Sequence, residues 1–512
     1  MNSKAVDGAD ADTLPSGLRL KLITVALVMA PLIQVFDTAL LSVALRQMQG
    51  SLSATQDQMA WVLTSYLIAL AVMTPFWGAI STIFGRKPLL LLSIVGFVTF
   101  SMLSGTSGSL SEILVYRFCQ GVFGAALIPI SQSSMLSVYR REDFSIAMGW
   151  WGVGIMFGPV FGPTIGGYLT EYFNWRWVFY LNLPLGMIAF AMTALLVPRQ
   201  RNTVSRPFNY LGFCMLAIAV ASVQFVLDRG ERMEWFSSPT IILLTLAGAG
   251  ALWVFIINSS TSKTPFVDPA IFRNRFYVLG IVLRILFGMF LFSSLVLVPP
   301  FLQNQGGYPV IDSGLIMASR GAGAMFAATF TGYLLKYIDP RKVILSGMAL
   351  SVYSMWEFSN FTQDIGVNIA LANNFAQGIA LSFFIIPVNT VAFSSLPAEQ
   401  RDAGTSFYSL LNNIGRTLGI ALCASYLARN TQATHEILSA HITPFNDALR
   451  HVRMPEVWNL DTISGLQAVN VMVNKQAELI AYIIDFRLLA AIIFICMPVV
   501  FLLKNPLDQA KA

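Results

Sequence analysis

The sequence predicts an all-α polytopic membrane protein of fourteen transmembrane helices, arranged as two six-helix bundles plus a two-helix insert. Three observations predict it: a composition that water does not solvate, apolar runs of about twenty residues recurring along the chain, and a lysine and arginine pattern that alternates from loop to loop. Of 512 residues, 55% are hydrophobic and 11% charged, whereas a water-soluble domain carries about 25% charged residues. The 38 Phe and 37 Gly agree, because transmembrane helices tolerate glycine and use it for close packing. The net charge of +6 forms no basic stripe outside the short loops, which argues against a nucleic-acid partner.

In chain order the expected spans are 20–45, 60–83, 88–106, 110–137, 145–168, 177–197, 209–227 and 239–258, then 276–302, 312–334, 342–360, 367–393, 403–428 and 479–503. All are helical, since hydrocarbon offers no partner to an unpaired backbone amide. The first follows an acidic stretch, Asp7 to Thr13, and is too long for the apolar region of a signal peptide, so it reads as a retained span. One set of loops carries Arg86, Lys87, Arg140, Arg141, Arg199, Arg201, Arg206, Lys263, Arg273, Arg275, Lys336, Arg341, Lys342 and Arg401. Both termini join it with Lys4, Arg19, Lys21, Lys504 and Lys511, for nineteen basic residues against Arg46, Arg176, Arg229 and Arg232 in the short opposite loops. That asymmetry predicts an even number of spans with both ends cytoplasmic.

The resulting plan is a cytoplasmic tail over 1–19, a first bundle over 20–200, the insert over 201–270 and a second bundle over 271–512. Within the last, residues 429–478 form a long, mostly polar periplasmic loop with helical periodicity near Ile463 to Ile480, a plausible docking surface for a partner protein. Its histidines, His435, His441 and His451, match no metal-site spacing, and no metal or cofactor is implied. The four cysteines sit singly in apolar runs as packing residues.

The two bundles repeat each other. Gln120-Gly121 and Ile128-Pro129 return 257 residues on as Gln377-Gly378 and Ile386-Pro387. Gly158 and Gly162 return as Gly415 and Gly419, and Gly78 with Arg86-Lys87 resembles Gly332 with Arg341-Lys342. Parallel halves of this kind belong to transporters that hold substrate between them near the midplane.

Ionisable residues inside a span are costly and therefore functional candidates. Asp37, in mid-span, either handles a proton or a polar substrate or is a carboxylate paired structurally with an arginine; its repeat equivalent, near Ser294, is not acidic. Arg117 shares a helical face with Gln120, Gly121 and Gly124, and an arginine there lowers the proton affinity of an acid it holds. Gly154, Gly158, Gly162 and Gly166 recur every fourth residue with Pro159 and Pro163 between them, either a bendable pivot or a static packing stripe. Asn412, Asn413, Gly415, Arg416 and Gly419 give a polar, small-residue face on the thirteenth span. Arg284 and Arg320 also lie in apolar runs that hold few acids, an excess of buried arginine that points to anionic or weakly acidic amphiphiles.

From about residue 20 onward these motifs resemble the major facilitator superfamily, specifically its fourteen-span drug:proton antiporters of the EmrB/QacA type. Gly78 to Gly85-Arg86-Lys87 is similar to the loop signature between spans two and three, with Thr82 and Ile83 standing where the family has Asp and Arg, so the ion pair of those positions does not carry over. Arg117-Phe-Cys-Gln120-Gly121 resembles the fourth-span motif of proton coupling, and Gly158-Pro159 to Gly162-Pro163 and Gly166-Gly167 resembles the antiporter motif. Trp175 to Phe179 with Asn182 and Pro184 follows the sixth-span pattern, and Asp37-Thr38 sits at the first-span acid. The long loop followed by Tyr482 to Phe486 looks like the EmrB branch. The resemblance implies proton-driven export beside a periplasmic adaptor and an outer-membrane channel. An importer of the same fold remains open, as does a membrane enzyme, although no span holds a His and no HExxH or GxSxG occurs.

Overall fold

The computed structural model describes residues 15–199, 208–361, 365–442 and 462–503. Lys4, Arg201, Arg206, His451, Lys504 and Lys511 lie outside the described residues. Sixteen α-helices follow one another among them: α1 Gly17–Ser51, α2 Gln56–Phe84, α3 Arg86–Thr106, α4 Leu110–Val138, α5 Phe144–Tyr172, α6 Arg176–Tyr180, α7 Asn182–Leu196 and α8 Tyr210–Arg229. Then come α9 Pro239–Thr261, α10 Ala270–Arg273, α11 Arg275–Pro300, α12 Val310–Leu334, α13 Pro340–Phe358, α14 Val367–Ser394, α15 Arg401–Ala440 and α16 Ile463–Cys496. The described residues contain no strand.

With α6 and α7 taken as one rod broken at Leu181, and the short α10 set aside, fourteen long helical segments follow the order of the expected spans. Eleven are long and apolar enough to cross a membrane. The other three, α12, α13 and α15, carry more charge and hydroxyl groups along their length, Arg320, Glu357 and Arg416 among them. They pack along membrane-length neighbours: α12 on α5 and α14, α13 on α14 and α16, α15 on α11 and α16. Side chains close the helix starts at the short loops. Thr55 and Gln58 form a reciprocal capping box on α2, Ser109 caps α4, Asn209 caps α8 and Asn274 caps α11, so each satisfies an otherwise orphaned amide.

Contacts divide into two sets. In the first, α1 packs on α5, α4 and α7, and α4 on α2 and α3; in the second, α11 packs on α15 and α14, and α12 and α13 on α14. The sets meet along α5 against α12 and α2 against α15. Helices α8 and α9 pair with each other, and α8 leans on both α2 and α15. Its Gln224 amide donates to Thr417 of α15 at 2.6 Å, and its Asp228 accepts from Thr64 of α2. Glu231, just beyond α8, accepts from Ser425 and Trp235, and those hydrogen bonds hold its carboxyl below the usual carboxylate range.

The glycine stripe explains how α1 and α5 come so close. A side-chain carbon built at Gly162 would stand 2.5 Å from Ala39 Cβ, and one at Gly158 would stand 3.0 Å from the Val35 carbonyl carbon and 3.1 Å from the Phe36 amide. Gly166 faces the Leu40 backbone at 3.1 Å, and Gly154 faces Val28. Asp37 is therefore set on the stretch of α1 that α5 grips. Gly167, expected with the stripe, has nothing within 4 Å, and α5 runs as one helix through Pro159 and Pro163. Gly158→Ala should push backbone against backbone and cost about 1–3 kcal/mol, visible as a fall of several degrees in melting temperature, while Gly167→Ala should leave it unchanged. Equal melting of the two variants would show that the stripe does not set the approach.

Candidate functional site

Five helices deliver one closed polar cluster to the inside of the first bundle. Asp37 of α1 is wholly buried, and its Oδ2 accepts from Arg117 Nη1 of α4 at 2.7 Å. The other carboxylate oxygen accepts from Gln120 Nε2 at 3.1 Å and from Asn182 Nδ2 of α7 at 2.6 Å. Arg117 Nη1 also donates to Gln120 Oε1 at 2.7 Å, across one turn of α4. Asn182 is steadied by Ser101 of α3, which lies 2.8 Å from its amide nitrogen and donates to the Phe179 carbonyl. The guanidinium lies over the Tyr66 ring of α2, 4.3 Å from its centroid, and 5.7 Å from that of Phe179.

Burying a charge without a partner costs several kcal/mol, so acid and arginine each make the other tolerable. Arg117 Nε and Nη2 nevertheless lack a hydrogen-bond partner among the described residues, which leaves the aromatic faces to answer part of its charge.

Sequence reading placed Asp37, Arg117 and Gln120 in this site, and the structure brings all three together. Ser101, Tyr66 and the role of Asn182 were missed, because uncharged polar residues are too common in apolar helices to stand out. Asn412, Asn413 and Arg416 make no hydrogen bond to Asp37 or Arg117 and lie half-buried on α15, although the Arg416 charge acts on Tyr66 at the edge of the cluster. The Asn412 carbonyl packs against Gly288, the Asn413 carbonyl accepts from Thr417, and the Arg416 guanidinium lies 4.9 Å from the Phe292 ring centroid.

The loop signature works at one end of the seam between the two sets. Gly85 links α2 to α3 at φ 89°, a conformation side chains rarely adopt, and Gly78 abuts Ser406 of α15. Arg86 Nε meets Asp402 Oδ1 at 2.7 Å across the seam, and Lys87 donates to the Ala194 carbonyl at 2.7 Å. With the opposite sense, Lys336 after α12 meets Asp143 before α5 at 2.6 Å. Arg401 adds a bond to the Leu136 carbonyl at 3.2 Å. Four basic loops thus converge on one end, and the two bridges cross the seam in opposite senses: a cation just after α2 or α12 meets an acid at the start of α15 or just before α5.

Two similar helical halves, latched at one end and carrying a buried acid–arginine pair in one of them, define a two-bundle polytopic membrane protein. The chain belongs to the Major Facilitator Superfamily, whose family model matches residues 27–420. That is a family of transporters, so the enzyme alternative falls. The chain is 30% identical to "Multidrug export protein EmrB" of Escherichia coli K12 over 84% of both chains. It is 30% identical to "Probable multidrug resistance protein EmrY" of the same organism over 97% of both, and 28% identical to "Fatty acid resistance protein FarB" of Neisseria gonorrhoeae over 96% of this chain and 97% of that one. Among solved structures, the human organic anion transporter MFSD10 matches with a TM-score of 0.58 at 14% identity, covering 93% of this chain and all of that one. The xylose symporter XylE matches at 0.54 and 14%, covering 93% and 95%. At such identities these two establish the fold alone.

A double-mutant cycle checks the latch: Arg86→Ala and Asp402→Ala should each lower the melting temperature, and the double variant should fall short of their sum by about 0.5–3 kcal/mol. Strict additivity would mean that the bridge holds nothing.

Proposed function

We propose that the protein is a proton-coupled antiporter that exports drugs or other amphiphilic small molecules across a bacterial inner membrane, with both termini cytoplasmic, as the inner-membrane part of a tripartite efflux system. The observation that carries the reading is the Asp37 cluster: a carboxylate sealed from water, held by one arginine and two amides, on the helix stretch gripped by α5. The names of the relatives EmrB, EmrY and FarB, all export or resistance proteins, support outward transport of such compounds.

In this reading the first six-helix bundle over 20–200 and the second over 271–512 rock against each other. Breaking the Arg86–Asp402 and Lys336–Asp143 bridges opens the end that carries the basic loops. Because α5 touches α1 on one side and α12 on the other, rocking shifts the backbone beside Asp37. Once Arg117 is displaced, the carboxylate loses the charge that keeps it ionised and takes up a proton. A proton moving down the membrane potential supplies about 2.3 kcal/mol per 100 mV, enough to sustain a substantial concentration gradient.

The adaptor would bind where α15 and α16 leave the membrane. At 40 residues, α15 is about 60 Å long, twice the roughly 30 Å of hydrocarbon. His435 Nε2 lies 2.9 Å from Asn470 Oδ1 and ties the two helices together beyond the apolar stretch, while Ile437, Leu466 and Val471 stay exposed there.

Cells lacking their own pumps and expressing this protein should accumulate less of a fluorescent amphiphile than vector controls, and either a protonophore or Asp37→Asn should abolish the difference. Export that survives Asp37→Asn at matched membrane expression would make the acid structural, and accumulation above vector would mean import. Replacing Ile437 and Val471 by Ser should lower resistance of whole cells that carry an adaptor while leaving proton-driven transport by membrane vesicles at its original rate. A loss in vesicles as well would place these residues in the transport path or the fold, not at a docking surface.

A further inference from the structure

The internal repeat makes a comparison possible between the Asp37 cluster and its counterpart in the second half. Positions 37, 117 and 120 correspond, 257 residues on, to Ser294, Asn374 and Gln377. All three are wholly buried, on α11 and α14. None of the three is an acid. Instead the counterpart has an arginine from a different helix: Arg320 of α12 donates through Nη1 to Ser294 Oγ and through Nη2 to Asn374 Oδ1, both at 3.1 Å. Arg320 is 3% exposed, and its Nε has no partner among the described residues. Gln377, whose equivalent Gln120 binds both Asp37 and Arg117, has neither amide atom bonded.

The same frame therefore carries opposite chemistry in the two halves. In the first, a carboxylate is provided by the chain and answered by Arg117. In the second, the guanidinium is provided and no carboxylate among the described residues answers it; a neutral hydroxyl and amide take two of its N–H groups. A buried cation held only by neutral oxygens is costly, and an anion brought to it recovers much of that cost. Asp485 of α16, an acid wholly buried in this bundle, forms no ion pair with it among the described residues, and both Asp485 oxygens are buried without a bond. A second buried arginine, Arg284 of α11, also has no ion pair among the described residues; it lies over Tyr408 and Phe287, each ring centroid 5.3 Å away.

We infer that Arg320, with Ser294, Asn374 and Gln377, forms a carboxylate-binding site in the second bundle that takes the acidic headgroup of the transported amphiphile. The headgroup's oxygens replace the side-chain carboxylate present in the first half, Arg320 donates to them, and the Gln377 amide supplies a further donor as Gln120 does to Asp37. The inference rests on the export reading above and specifies its substrate class: a monoanionic amphiphile, not a cationic one.

The test uses the full chain in lipid nanodiscs and two probes of equal chain length, decanoate and decyltrimethylammonium. Wild type should bind decanoate more tightly, and Arg320→Gln should weaken decanoate binding by about tenfold or more, the loss of one charge-assisted hydrogen-bond pair, while Arg320→Lys keeps part of it. Since a buried arginine is hard to replace, Ser294→Asp supplies an independent arm. It restores the acid found in the first half, so it should raise the melting temperature and abolish decanoate binding. Unchanged decanoate affinity in Ser294→Asp, or in a monodisperse Arg320→Gln, would overturn the site. Displacement of decanoate by acetate at equal concentration would make this a small-anion site and overturn its assignment to the transported molecule. Cell efflux, run in parallel, separates the two readings. Export by wild type with Arg320-independent decanoate binding sinks only the site, whereas Arg320-dependent binding without any export sinks only the transport reading.

Discussion

Hydrocarbon gives a charged side chain no water to fall back on, and the Asp37–Arg117 pair shows how the first bundle is organised around that fact. The acid and the base come from different helices, so the pair forms only if α1 and α4 are brought into register. The carboxylate's second oxygen recruits Gln120 and Asn182, which fixes α7 as well. Tyr66 lies against the guanidinium from α2, and Ser101 orients Asn182 from α3. Five helices are thus positioned around a single buried carboxylate.

The glycine stripe serves that pair from the other side. Without side chains on α5 at Gly158 and Gly162, α1 approaches closely enough for its backbone to be in contact beside Asp37. The seam bridges do for the two halves what the stripe does for two helices: they hold an arrangement without gluing it. Arg86–Asp402 and Lys336–Asp143 lie at loop ends, where water can compete once they separate. A buried pair inside a bundle and exchangeable pairs between bundles make rigid bodies with a releasable contact.

Much of this was legible in the sequence, for physical reasons that differ by residue. The spans were legible because a water-exposed chain rarely sustains apolar runs of membrane length, and α12, α13 and α15 fell short of the apolar threshold because their buried faces carry hydroxyls, amides and charge. Asp37, Arg117 and Gln120 stood out as costly residues in apolar surroundings. Asp143 and Asp402 did not, since an acid in a loop is ordinarily solvated, and nothing in a single sequence says which cation faces it across a seam. The repeat offset did point to Ser294 and could have pointed to Asn374, but Arg320 could not be paired that way, because it enters its cluster from a helix whose counterpart contributes Tyr66 to the first.

Helix α5 ends up with little room to change. One face lies on α1 through Gly154, Gly158, Gly162 and Gly166; a second lies on α12, where a side-chain carbon built at Gly149 would stand 3.0 Å from the Ala328 carbonyl oxygen and one at Gly332 would meet the Ser145 backbone. Only the third face, with Trp150, Phe157, Phe161, Thr164 and Tyr168, is exposed, and it is mostly aromatic. Across a lineage of such proteins, α5 would therefore vary in a rhythm of about 3.6 residues, silent on two sides of the helix and audible on the third. Selection for a new cargo would have that one aromatic edge to work on, while the helix that ties the halves together stayed as it was.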